Sequence, residues 1–245
     1  MARRGMDGFI FLAAVVAAWQ LVHLYSGDVA VSSPAATSQK AMELLRSAAF
    51  WPHALETAKA FGYSLAVAIP SGAAIGLLLG LRRLPGEVAD PILVSLYSLP
   101  KITLYPLVLL VFGLGMSAKV AFGAVHGIIP VAIFSMNAVR TVNPVFFKAA
   151  RIMQLSRSAT ALRVALPAAV PEIFSGIRVG FSLTLLGVLI GEMFASQRGL
   201  GFLIMNLIDV HDVLKMMAIT LLLAVFAVAA NLGLLALDHR LHHRV

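Results

Sequence analysis

Among the ionisable side chains within the long apolar runs, any chemistry at membrane depth would start from Lys101, His126, Arg178 and Glu192. Tyr97, Lys101 and Tyr105 are four residues apart, so a continuous helix would present all three on one face. A lysine at the centre of a span costs about 2.5–3.5 kcal/mol on insertion scales. Pro100 and Pro106 flank it, and each removes a backbone donor. Two readings stand. Tyr97, Pro100, Lys101 and Tyr105 form part of a translocation pathway for an anion, or Lys101 snorkels or pairs with a carbonyl that proline frees. Arg178, near one end of its run, is placed to snorkel, whereas Glu192, near the other end, can cap a helix or pair. His126 has no second ligand at metal spacing and reads as a packing histidine. Cys is absent, which excludes disulfides, a thiolate nucleophile and Cys-ligated metal. The polar residues are too scattered for the His/Asp/Glu constellation of a membrane-embedded enzyme.

The elements that must position these residues are membrane helices. Of 245 residues, 60% are hydrophobic and 12% charged, against about 25% charged in a soluble domain. Mean hydropathy is +0.92. An ordinary soluble enzyme could not hide that apolar surface, and disorder needs the opposite composition. Six runs have the roughly 20 apolar residues of a span: Gly8–Tyr25, Ala58–Leu81, Ile92–Phe112, Ala118–Val139, Ile173–Ala195 and Val213–Leu237. The expected class is therefore an all-α integral membrane protein with six transmembrane helices in a single domain, residues 1–245. The first run follows Arg3 and Arg4 as a signal peptide's would. It is long for one, however, contains Trp19 and His23, and is followed by no clear Ala-x-Ala site.

The net charge of +8 in a soluble protein would suggest nucleic acid; here the cations flank spans. With the N-terminus in the cytoplasm, that side receives eleven Lys and Arg: Arg3, Arg4, Arg82, Arg83, Arg140, Lys148, Arg151, Arg157, Arg163, Arg240 and Arg244. The other side receives six: Lys40, Arg46, Lys59, Lys119, Arg198 and Lys215. This bias places both termini inside. Within the outer connection 26–57, Gln39–Glu56 reads as an interfacial amphipathic helix. Ala68, Gly72, Gly76 and Gly80 are four apart and allow close approach of another helix, read as packing within the chain in preference to a subunit interface.

Residues 140–172 form the one substantial cytoplasmic loop. Ile152, Leu155, Ala159 and Leu162 fall on one apolar helix face, with Lys148, Arg151 and Arg157 off it. Pro144 precedes this helix and Pro167 stops its continuation. Such a helix needs an apolar groove from its own bundle or from a partner.

At these residues the chain resembles the permease subunits of ABC importers. Their loop signature is Glu-Ala-Ala, three residues, Gly, nine residues, Ile, one residue, Leu-Pro. Here Ala149, Ala150, Leu166 and Pro167 match in register, Lys148 stands for Glu, Gln154 for Gly and Val164 for Ile. Gln154 implies a straighter element or a different bend. The resemblance runs from about Thr57 to Ile219. Ser98-Leu99-Pro100-Lys101-Ile102-Thr103-Leu104-Tyr105-Pro106-Leu107, Phe112-Gly113-Leu114-Gly115, Gly191-Glu192-Met193-Phe194-Ala195 and Gly199-Leu200-Gly201 look like the branch importing nitrate, sulfonates and taurine.

The resemblance implies a type I importer permease in the bacterial cytoplasmic (inner) membrane: a homodimer of six-span subunits in the lipid bilayer. Two ATP-binding cassette ATPase subunits would dock on the coupling loop at Lys148, Ala149, Ala150, Arg151, Gln154, Leu155, Leu166 and Pro167. An extracytoplasmic solute-binding protein would deliver a small anionic solute. ATP and Mg would bind the partner ATPase and no cofactor this chain, which has no GxxxxGK[ST] loop. The alternative, a transporter driven by an ion gradient, would want an inverted repeat and paired intramembrane carboxylates. The sequence has neither.

Overall fold

A computed structural model describes residues 2–242, and every described regular element is helical. Arg244 lies outside the described residues, as do the side chains of Arg3, Arg4, Arg157 and Arg240. The apolar runs become α1 (Ala2–Ser26), α3 (Trp51–Gly80), α6 (Met116–Arg140), α9 (Leu166–Ala195) and α11 (Val213–His242). These supply five helices long and apolar enough to cross a membrane. The third run is different. It folds as α4 (Arg83–Ser98) and, after a short 3₁₀ turn at Lys101–Leu104, α5 (Tyr105–Phe112), bent by 88° and counting as a sixth span if the pair is one.

Small residues set the core. α6 packs extensively against both α3 and α9, which touch each other less. A Cβ on Gly72 would lie 2.7 Å from the Ile128 carbonyl, and one on Gly80 2.7 Å from the Met136 carbonyl. The Gly72–Gly76–Gly80 stripe therefore seats α3 on α6 within the chain. From the other side, Gly176 and Gly180 of α9 receive Phe134 and Val131 of α6. In lipid no hydrophobic drive brings helices together, so the dispersion gained by such close approach carries the association.

The expected helix Gln39–Glu56 is two elements. α2 (Pro34–Arg46) starts at the N-cap Ser33, whose hydroxyl accepts from the Ala36 amide, and α3 starts anew at Trp51, with Pro52 in its first turn. Between them Phe50 is buried against Leu44, Leu200 and Ile219, which fixes the corner. α10 (Leu200–Asp209) is a short apolar helix in what the sequence suggested was loop.

The connection after α6 also departs from its expected form. α7 (Pro144–Ile152) begins at Asn143, whose side chain accepts from the Val145 amide, so Pro144 is its first residue rather than its predecessor. Pro167 does not stop a helix. α8 (Arg157–Thr160) runs through a π turn at Ala161–Ala165 straight into α9. In that turn the Leu166 amide reaches back to the Ala161 carbonyl, a wider ladder that accommodates the missing proline donor. Ile152 and Leu162, expected on one apolar face of a single helix, fall on separate helical segments and are 83% and 66% exposed.

Candidate functional site

Three regions hold the chemistry-bearing residues. The first is α7 and its surroundings. Ala150 is buried against the chain's own bundle, whereas Ala149, Val145, Phe146, Ile152 and Met153 are exposed. Lys148 and Arg151 lie along one flank of that apolar face. α7 ends where Gln154 adopts φ 53°, the left-handed conformation ordinarily left to glycine. The Gln154 amide donates to the Arg151 carbonyl and the Leu155 amide to the Ala150 carbonyl, both at 3.0 Å, closing the two-bond turn of a Schellman cap. So the glycine-like bend persists without glycine, where a straighter element or a different bend was anticipated. Leu155 is half-buried behind it. Leu166 and Pro167 lie apart from this cap, in the first turn of α9. A cleft of about 660 Å³ runs between α7 and the ends of α3, α4 and α6, lined by Arg83, Glu87, Arg140, Lys148 and Arg151 among others.

The second region is the break between α4 and α5. The four-residue spacing of Tyr97, Lys101 and Tyr105 does not give one face, because α4 stops at Ser98 and the chain turns at Pro100. Tyr97 is exposed while Lys101 and Tyr105 are buried. Ending the helix frees the Tyr97 carbonyl, and the Lys101 ammonium donates to it at 2.9 Å, lying 5.4 Å from the Tyr97 ring centre. The Tyr105 hydroxyl donates to the Gly191 carbonyl at 2.6 Å and its ring packs edge-on against Phe122, pinning α5 to α9. His126 is a packing histidine: buried, with Nδ1 2.9 Å from the Phe122 carbonyl.

The third region lies deep among the spans. Arg178 does not snorkel. Its guanidinium donates to Asp238 Oδ2 and Asn231 Oδ1 on α11, each at 3.3 Å. Beside it is a pocket of about 380 Å³ whose walls include Tyr97, Ser175, Arg178, Ser182 and Asn231. Thus two residues singled out in the sequence, Tyr97 and Arg178, meet in one pocket, whose other walls mix Ser175, Ser182 and Asn231 with Phe134, Val179 and Leu183, while Lys101 holds Tyr97 from behind and Tyr105 lies apart, against Gly191 and Phe122. Asn231 and Asp238 were missed. They stand seven residues apart, two helical turns, and that spacing in an otherwise apolar span was the available signal.

At the end of the bundle away from α7, Glu192 is fully buried and caps α10. It accepts from the Thr57 hydroxyl at 2.8 Å and from the Gly201 amide at 3.0 Å. Lys119, counted from sequence among the outer-side cations, is buried in the first turn of α6. It donates to Glu56 at 3.0 Å and to the Arg198 carbonyl at 2.9 Å.

The family model of the binding-protein-dependent transport system inner membrane component matches residues 68–245. The chain belongs to this family. It is 29% identical to the taurine transport system permease protein TauC of Escherichia coli (strain K12), covering 79% of this chain and 70% of that one. To the riboflavin transport system permease protein RibX of Chloroflexus aurantiacus it is 30% identical, covering 80% and 74%. A chain of the MetNI methionine ABC transporter, solved in inward-facing conformations, superimposes with a TM-score of 0.64 at 17% identity, covering 78% of this chain and 93% of that one. The fold is thus that of a type I importer permease. Family membership selects the ATP-driven importer over the ion-gradient transporter and makes this chain a transport protein, with ATP hydrolysis on a separate subunit.

Proposed function

We propose that this permease stands in the bacterial inner membrane with both termini in the cytoplasm, pairs with a second copy, and passes a small anionic solute along a wall formed by Tyr97, Ser175, Arg178, Ser182 and Asn231. A solute-binding protein hands over the solute at the Glu192 end. α7 seats the ATPase with its exposed apolar face, and the Schellman cap at Gln154 sets the angle at which the chain leaves it. ATP and Mg bind on that ATPase. Pro100, Lys101 and Tyr105 shape the break behind the wall.

The observation that carries the pathway is the cluster of Ser175, Arg178, Ser182 and Asn231 on one pocket that Phe134, Val179 and Leu183 complete. Such polar groups among spans would be penalised against acyl chains, which supports an aqueous path on this face. Arg178 supplies a positive charge suited to an anionic group, such as the sulfonate that taurine, the named solute of one relative, carries beside its ammonium. The riboflavin relative favours a second reading, a solute without net charge.

Uptake into vesicles holding the reconstituted permease, its ATPase and binding protein separates the two. If the solute is an anion held by Arg178, Arg178→Met abolishes uptake while Arg178→Lys retains part of it. Equal uptake by wild type and Arg178→Met would reject the anion pathway. Orientation has its own test. The chain has no Cys, so a single cysteine at Ser156 should react with an impermeant thiol reagent only from the cytoplasmic side, and one at Gln197 only from outside.

A further inference from the structure

We propose that the ATPase surface seated on α7 is acidic, with carboxylates that pair with Lys148 and Arg151. The proposal rests on the reading of α7 as the docking element and adds the chemistry of the partner. α7 has three faces. One, with Ala150 buried and Phe147 half-buried, packs on the bundle; a second, with Val145, Phe146, Ala149, Ile152 and Met153, is apolar and exposed; the third carries Lys148 and Arg151, also exposed. An apolar helix face of this length fits a groove in another protein, and the flanking cations then meet the groove's rim.

The charge around α7 is one-sided. The adjoining cleft is lined by four cations, Arg83, Arg140, Lys148 and Arg151, and one carboxylate, Glu87. That carboxylate is taken by Arg83 at 2.9 Å, and Asp90 lies 3.7 Å from Arg140. Among the described residues no carboxylate lies within 4 Å of Lys148 or Arg151. Two exposed, unmatched cations beside an apolar docking face repel a basic rim and attract an acidic one, so they select among ATPases as well as bind one. The cations also suit lipid headgroups. The protein partner is favoured because Phe146, Ile152 and Met153 share the helix with them, and because hydrolysis on a separate subunit requires such a contact.

Zero-length carbodiimide coupling tests this on the full permease co-purified with its co-expressed ATPase. The reagent activates a carboxylate, the Lys148 amine displaces it, and an amide forms with loss of the reagent as its urea. The expected result is a Lys148–Asp or Lys148–Glu amide to the ATPase, identified by peptide mass. K148R should lose that amide yet keep the complex. K148E/R151E should weaken association about tenfold at ~0.1 M salt and flatten its salt dependence. Both variants should elute and melt like wild type, since both side chains are exposed. F146D checks the underlying reading by removing the ATPase at every salt concentration. An intact complex with no Lys148 amide and an unaffected K148E/R151E would overturn the acidic partner while F146D still upholds docking. ATPase retention by F146D and K148E/R151E alike would overturn docking on α7 itself. Weakening of K148E/R151E seen in phosphatidylglycerol nanodiscs and absent in phosphatidylcholine ones would assign the cations to lipid and reject the proposal.

Discussion

The Thr57 hydroxyl of α3 lies 2.8 Å from the Glu192 carboxylate of α9, and both side chains are shut away from solvent. The same hydroxyl accepts from the Leu200 amide at 2.8 Å, and Glu192 takes the Gly201 amide, so two residues hold the start of α10 against both long helices. Gly199, at φ +128°, leaves the room a side chain would take from the carboxylate. Thr57→Val should destabilise the protein by about 2 kcal/mol, and Glu192→Ala by about 3 kcal/mol, because each strands a buried amide. Their effects should fall short of additive, since the second change removes a partner already lost. Thermal unfolding in detergent of the two single variants and the double variant measures this. Full additivity would mean that the pair does not act as one unit.

At Gln154 a backbone conformation suited to glycine is occupied by a bulky residue. Gln154→Gly should stabilise the α7 cap by about 1 kcal/mol, and Gln154→Val should weaken it by a similar amount, because a branched Cβ crowds the left-handed region. The melting temperature reads the first effect. Coupled ATPase stimulation reads the second, since the cap orients the segment leaving α7. A higher melting point for Val than for Gly would contradict the geometry.

Gly76 and Gly62 offer a matched pair on one helix. A Cβ on Gly76 would meet Ser135 Cβ at 2.6 Å and the Met136 amide at 2.9 Å, whereas one on Gly62 meets nothing within 4 Å. Gly76→Ala should therefore prevent close packing of α3 on α6 and abolish recovery of folded protein. Gly62→Ala should be neutral, or stabilising by up to about 1 kcal/mol from helix propensity. Fluorescence-detected gel filtration of both variants distinguishes close packing from a general intolerance of α3 to substitution.

These contrasts show which features were legible in the sequence. Five spans follow from uninterrupted apolar runs, and the stripe at Gly72, Gly76 and Gly80 states its own contact. Pro100 announced trouble in the third run without saying that the chain would turn by 88° there. Other features depend on residues far apart in the chain. Arg178 reads as a lone snorkelling cation until α11 brings Asp238 across 60 positions, and Lys119 reads as one more outer-side cation until Glu56 meets it from α3. α10 was hidden for the same reason: its first amides are satisfied by Thr57 and Glu192 of other helices. The cap at Gln154 was misjudged because residue preference argued for glycine, while the hydrogen bonds from Gln154 to Arg151 and from Leu155 to Ala150 hold the turn without it.

Lys101 provides the sharpest division between support and pathway. The residue is 9% exposed, and its ammonium is occupied by the Tyr97 carbonyl at 2.9 Å, an acceptor that exists because α4 ends before Pro100. Two opposing changes accompany Lys101→Met. A charge-assisted hydrogen bond is lost, at about 1.5–3 kcal/mol, and the cost of holding a cation at membrane depth is relieved, at about 2.5–3.5 kcal/mol on insertion scales. The two nearly cancel, so the variant should fold with a melting temperature close to wild type. Its uptake should stay within about twofold of wild type, because the methionine stem still fills the space behind Tyr97. Arg178→Met should fold less well, since Asp238 and Asn231 lose the guanidinium they accept from, and its uptake should disappear. Uptake in reconstituted vesicles, normalised to folded protein, compares the two directly. Loss of uptake in Lys101→Met at unchanged melting temperature would move the ammonium from the wall's support into the solute's path.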